Sequence, residues 1–208
     1  MVHPNLLDLV DYLFQYSMVN IHAIVLDTLR LSMAENYEEP RFEIIKQFKR
    51  FEIRNYSDAI QARVHTPGDG WANSSGGFRR IAGYIFGGNE RNQSIAMTAP
   101  VHMWKSEGGS MMAFIMPSEH EMSDLPMPND SEIELLPVEG GVFAAMKFSG
   151  FSGHSKRDRL IAKLLRLVEK EGLTVAGEPI LAVYDNPTST LPFMRRNEIL
   201  LPIDADSL

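Results

Sequence analysis

The chain of 208 residues repeats itself. Ile60, Ala62, Val64 and Gly68 match Val142, Ala144, Met146 and Gly150 at one constant offset (142 − 60 = 82; 150 − 68 = 82), and Ile53 meets Leu135 at the same shift. A fixed spacing of that length implies an internal duplication. Whatever supersecondary unit the first half forms, the second half is expected to form again, and the two are expected to share one core.

The unit can be read from apolar periodicity. After Pro40 the segments FEIIKQF (42 to 48), FEIRNY (51 to 56) and AIQARVHT (59 to 66) alternate apolar and polar residues and predict three strands. Ser74-Ser75-Gly76-Gly77 then predicts the start of a helix whose buried stripe is Phe78, Ile81, Ala82, Ile85 and Phe86, closed by Gly87-Gly88-Asn89. The second half follows the same order: IELLPV (133 to 138), VFAAMKF (142 to 148), a helix over 155 to 172, and PILAVY (179 to 184). Two β-β-α-β units predict an α+β fold, an antiparallel or mixed sheet that curls and carries two helices. A pseudo-twofold junction between such units leaves a cleft suited to small ligands.

IAMTAPV (95 to 101) reads as a further strand, with Ile95, Met97, Ala99 and Val101 toward the core and Pro100 placing it at a sheet edge or bulge. His102 alternates with Pro100 and Trp104 on the opposite face.

Ahead of the duplicated region, apolar residues from Leu6 to Leu29 recur at helical spacing. Residues 1 to 36 are therefore expected to form an N-terminal helical extension that packs on the domain or mediates self-association. Residues 37 to 208 form the main domain, with repeat halves at about 40 to 110 and 111 to 203. The longest charge-free run near the start, residues 12 to 26, is too short and polar to span a bilayer. Asp8 and Asp11 stand where a signal peptide carries basic residues, so a cytoplasmic location is expected. The balance of 20 Lys and Arg against 27 Asp and Glu, net −7, argues against nucleic acid as a partner.

The chain has no cysteine, which excludes disulfides, thiolate metal sites and cysteine nucleophiles. No GxSxG, HExxH or phosphate-binding glycine loop is present. The six histidines never fall at metal-ligand spacing. Twelve methionines, seven of them between Met97 and Met127, suit either an apolar core or a pocket for a large planar ligand.

Taken together, FEIRNY, GFRRIAGYIFGGNE (77 to 90), IAMTAPV, FSGFSG (148 to 153) and RRNEILL (195 to 201) closely resemble the SOUL family of haem-binding proteins in order and spacing, from about Tyr37 to Ile203. The resemblance implies a pseudo-twofold, distorted β-barrel flanked by two helices, similar to effector-binding domains of the GyrI and Rob type. It also implies non-catalytic binding of haem or a related tetrapyrrole in a shallow apolar groove between the helix at 76 to 87 and the loop at 187 to 195. The groove side of that helix is then Gly76, Arg79, Arg80, Gly83 and Tyr84. Leu191, Pro192, Phe193 and Met194 face it, and Arg79 and Arg195 are available for propionates. Some relatives carry a proposed axial histidine where this chain has Asn55, an amide and a poor iron ligand. His102 and His65 are the remaining candidates, and a groove without a protein ligand is the expectation.

Two other readings follow from the same residues. One is an effector-binding module for other planar or amphipathic small molecules. The other is a hydrolase using Glu198 or Glu52 as general base.

Overall fold

The computed structural model describes residues 37–68, 74–186 and 190–208. The expected N-terminal helical extension lies outside them. Among the described residues, nine strands form one sheet: β1 (Phe42–Gln47), β2 (Glu52–Tyr56), β3 (Ala59–Pro67), β4 (Val101–Ser106), β5 (Gly109–Ile115), β6 (Ile133–Val138), β7 (Gly141–Ser149), β8 (Ile180–Val183) and β9 (Arg196–Pro202). Two helices, α1 (Ser74–Ile85) and α2 (His154–Lys170), pack on one face.

The sheet order β1-β2-β7-β9-β8-β4-β5-β3-β6 makes the duplication visible. Every strand pairing in it is antiparallel. Leaving β1 aside, the order reads the same from both ends if β2 is exchanged with β6, β7 with β3, β9 with β5 and β8 with β4. The spans of β3 and β7 differ by the same offset at both ends (141 − 59 = 82; 149 − 67 = 82). Each half lends its first strand to the other, since β2 pairs with β7 and β6 pairs with β3. The halves therefore share one sheet.

The repeating unit is larger than the β-β-α-β expected. Residues 109 to 115 and 196 to 202 are full strands, so each half is β-β-α-β-β. Another correction concerns IAMTAPV. Residues 95 to 100 are not a strand; Ala99-Pro100 is a cis peptide, and β4 begins at Val101. Proline lacks the N–H a ladder needs, and here it stands immediately before pairing starts. The inward set is nonetheless as expected: Ile95, Ala99 and Val101 are buried and Met97 packs against the core.

Both helices end in the same way. Gly87 and Gly172 have φ of 104° and 76°, and in each case the next N–H bonds back to the carbonyl five residues earlier: Gly88 to Gly83 O at 2.8 Å, Leu173 to Val168 O at 3.2 Å. This left-handed stop is one that glycine adopts without penalty. Two apolar clusters fill the space beneath the helices. Ile81, Tyr84 and Ile85 of α1 meet Val64, Met112 and Phe114, while Leu164 and Val168 of α2 meet Ile53, Met146 and Ile199. Met103 touches both clusters and joins the halves. Of the central methionines, Met112 and Met116 are buried, Met97 and Met103 pack on the core, and Met122 and Met127 are exposed.

The orientation of α1 differs from the expected stripe. Phe78 leans on Phe114 but stays 37% exposed, and Phe86 is 66% exposed. Tyr84, expected on the groove side, is 1% exposed in the core. Its hydroxyl donates to the Pro126 carbonyl at 3.0 Å, which gives the buried phenol a partner.

Candidate functional site

The sheet's second face, away from the helices, is concave. Residues from β2, β3, β4, β6, β7, β8 and β9 line one cleft there, which requires the sheet to curl until strands distant in its order face one another. Strand alternation selects the lining: Tyr56, Arg63, His102, Trp104, Phe143 and Leu200 point into the cleft, while their neighbours in sequence point at the helices. Phe143, Ile180 and Leu200 form its apolar floor, in one cluster with Ala145, Ala182 and Tyr184 behind them. The cleft holds about 320 Å³.

Beside this floor lies a buried polar network. Arg54 donates from Nη1 and Nη2 to the two carboxylate oxygens of Glu198, each at 2.8 Å, from Nε to Glu52 at 2.7 Å, and from Nη1 to the Tyr56 hydroxyl at 2.7 Å. A further short contact joins its Nη2 to Glu52. Tyr184 donates to Glu198 at 2.8 Å, and Lys147 approaches Glu52 at 3.2 Å. Burial alone would raise the pKa of Glu52, but the hydrogen bonds and charge of Arg54, helped by Lys147, outweigh it and hold it below the usual carboxylate value. Burial pushes the Tyr56 phenol up to about 12, and burial together with Glu198 pushes Tyr184 up further. Both carboxylates proposed as general bases are therefore acceptors in a structural network centred on one guanidinium.

His102 lies across the cleft at 7% exposure, and its Nε2 is buried without a hydrogen-bond partner. Burial lowers its pKa to about 4, against an opposing pull from Glu198 and with a smaller push from Arg63, so the ring is neutral near pH 7. Arg63 extends over the Trp104 ring at 5.1 Å and donates from Nε to the Gln61 side chain at 2.8 Å. His65, two residues along β3, instead sits in hydrogen-bond range of the Glu107 carbonyl at 3.1 Å.

The residues expected to form a groove are placed as follows. Gly76, Arg79, Arg80 and Gly83 lie on the solvent side of α1, separated from the buried Tyr84. Arg79 Nε donates to the Ser75 carbonyl. Arg80 is held by Asp130 and Glu132, whose hydrogen bonds raise its pKa, and so is committed to the loop after Met127. On the other wall, Leu191 precedes a single turn of 3-10 helix, Pro192–Met194. Phe193 is 72% exposed there. Arg195 turns back, donating to the Thr190 carbonyl at 2.9 Å and stacking 5.1 Å from the Phe151 ring. Residues 187 to 189 lie outside the described region.

A profile of the SOUL heme-binding protein family matches residues 37–202. The chain belongs to the SOUL haem-binding protein family. Heme-binding protein 2 of Mus musculus is 29% identical over 161 residues, covering 73% of this chain and 77% of that protein. Among solved structures, the EcmrR C-terminal domain superposes with a TM-score of 0.59 at 12% identity, covering 77% of this chain and 99% of the other. An uncharacterized conserved protein from Listeria innocua gives 0.58 at 12% identity, covering 75% and 93%. At these identities the two structures show the shared fold.

Phe151, Phe193 and Met194 are exposed apolar side chains around Arg195, whose guanidinium stacks on the Phe151 ring, and Phe86 is exposed just past the end of α1. Asn55, at the strand position expected for an axial ligand, is exposed on β2 and paired between Glu43 and Val142. Among the described residues no cluster of three metal-ligating side chains occurs. Sequence reading missed Phe151, whose exposure beside Arg195 is set by the β7–α2 loop, and named Glu52 and Glu198 without the Arg54 that joins them. The signal for that network was Glu52 and Arg54 at alternate positions, on one face of β2.

Proposed function

We propose that this SOUL protein binds haem or a related tetrapyrrole, without catalysis, in a shallow groove between α1 and the segment preceding β9. The observation that carries the reading is Phe193, an aromatic ring 72% exposed on a short turn beside Met194 and Arg195. With Met194 next to it and Phe151 stacked on Arg195, the ring is part of a contiguous apolar patch, and such patches mark ligand or partner sites. Gly76 and Gly83 keep the outer side of α1 low, Leu191, Pro192, Phe193 and Met194 cover one macrocycle face, and Arg79 and Arg195 hold the propionates. Bound haem would supply its iron and its visible absorption. The chain's residues supply apolar contact and cations.

Burial of about 300 Å² of apolar surface yields roughly 7 kcal/mol before association costs. Iron ligation is then dispensable for micromolar binding. A spectral titration with haemin and with iron-free protoporphyrin tests this: both are expected to saturate with similar affinity. Failure of both to bind overturns the function, and binding of haemin alone overturns the ligand-free groove.

A further inference from the structure

The concave cleft carries a binding feature that the haem reading does not use. Three observations coincide in it. The Nε2 of His102 is buried and has no partner, although an unsatisfied buried polar atom costs free energy that native structures rarely leave unrecovered. Arg63 lines the same cleft with a half-buried guanidinium whose Nε donates to the neutral Gln61, while Glu134, opposite it on β6, acts on it electrostatically. Between the two lies Ala113, which pairs with His102 on β4 and with Arg63 on β3, so a methyl group separates two long polar side chains in one cross-strand row. Two strand spacings set those backbones about 10 Å apart, and both side chains line the cleft from the same face of the sheet.

The chemistry of that wall is specific. His102 is neutral, and a neutral imidazole can present Nε2 as an N–H donor. With the Arg63 guanidinium facing it, the group that satisfies both is an oxyanion, and a planar one suits the guanidinium fork. The other walls of the cleft are aromatic and aliphatic: Trp104, Tyr56, Phe143, Ile180 and Leu200. The rim carries Glu139 and Glu178, which disfavour a second negative charge at the ligand's outer end. The volume, about 320 Å³, stands at the lower end of the roughly 300–1,000 Å³ of small-molecule pockets. It matches a mono- or bicyclic compound and not a tetrapyrrole.

We propose that the cleft is a second ligand site, specific for a small planar aromatic monocarboxylate, with the carboxylate between His102 Nε2 and Arg63 and the ring against Trp104 and Leu200. This site is independent of the groove on the outer surface.

Calorimetric titration of the full chain with 2-naphthoate, naphthalene-2-methanol and 2-naphthylmethylamine tests it. Saturable binding of the carboxylate at millimolar or lower concentration is expected, with the alcohol and the amine weaker by about tenfold or more. His102→Phe and Arg63→Met are each expected to lose a similar factor. Binding of all three probes alike, or of none, overturns the proposal, as does binding unaffected by both substitutions in folded protein. Should either variant fail to fold, the imidazole ¹⁵N resonances of His102 in the unmodified chain report the same contact: they shift on adding 2-naphthoate, and no shift overturns it. Prior saturation with haemin is expected to leave the naphthoate isotherm unchanged. Mutual exclusion would merge the two sites and overturn the claim of a second one.

Discussion

Arg54 and Glu198, 144 positions apart, are joined across the intervening strand β7 by two parallel hydrogen bonds of 2.8 Å each. The pair links the first half of the duplication to the last strand of the second. Arg54 also serves Glu52, so two buried carboxylates depend on one guanidinium.

Replacing Arg54 by Met keeps much of the side-chain volume and removes the charge. Glu52 then keeps its contact with Lys147 and Glu198 its hydrogen bond from Tyr184, and neither has a guanidinium. Removing one partner of a buried ion pair typically costs about 3–5 kcal/mol. Urea unfolding of Arg54→Met is expected to show a loss in that range, and adding Glu198→Gln is expected to recover part of it. A loss below about 1 kcal/mol would mean that the carboxylates reach solvent.

His102 makes stability depend on pH. Its folded pKa, lowered by burial to about 4, lies below the ordinary value of 6.5. Between those values the unfolded chain binds the proton and the folded chain does not, so acid favours unfolding. The contribution is fully present above about pH 6.5, declines as pH falls, and is lost by about pH 4. A difference of this size corresponds to about 3 kcal/mol. Denaturant midpoints measured from pH 7 to pH 4 are expected to fall more steeply in the unmodified protein than in His102→Phe. Parallel profiles would show that the ring is solvated or paired in the folded state.

The duplication was legible because strand alternation and spacing are local properties that survive in the residues themselves: the offset between Ile60 and Val142 is also the offset between whole strands β3 and β7. What could not be read was pairing. That β2 crosses to β7 and β6 to β3 is decided by how two units close on each other, and no single segment records it. The face of α1 was misjudged for a related reason. Phe78 and Phe86 are the more apolar residues, yet Tyr84 occupies the core because the carbonyl of Pro126, on a loop 42 residues later, accepts its hydroxyl. Period-two reading correctly put His102 and Trp104 on one face. It could not say that this face is concave, because curvature belongs to the sheet.

Glycines divide by what surrounds them. A Cβ at Gly83, on the exposed side of α1, would meet no atom within 4 Å, and its φ is not positive. Gly83→Ala is expected to stabilise the fold by about 0.5–1 kcal/mol through helix propensity. A Cβ at Gly140 would stand 2.1 Å from the Tyr56 carbonyl oxygen, a backbone atom that cannot turn aside. Gly140→Ala is expected to cost roughly 1–3 kcal/mol. Thermal melts of the two variants should move in opposite directions, and a shared direction would contradict the packing around one of them.

The exposed turn before β9 separates stability from binding. Phe193 is largely in solvent, so Phe193→Ala is expected to change unfolding free energy by no more than about 0.5 kcal/mol. If the ring covers a macrocycle, its truncation removes about 1.5–3 kcal/mol of apolar burial in the complex, or about tenfold or more in affinity for haemin. Arg195→Gln is expected to weaken haemin by less, and by an amount that shrinks as salt is added, because the contact with a propionate is solvent-screened. Comparing absorbance titrations with melting curves for both variants decides the matter. Unchanged haemin affinity in folded Phe193→Ala would move the macrocycle off this turn, whereas a large loss of stability would show that the ring packs inward after all.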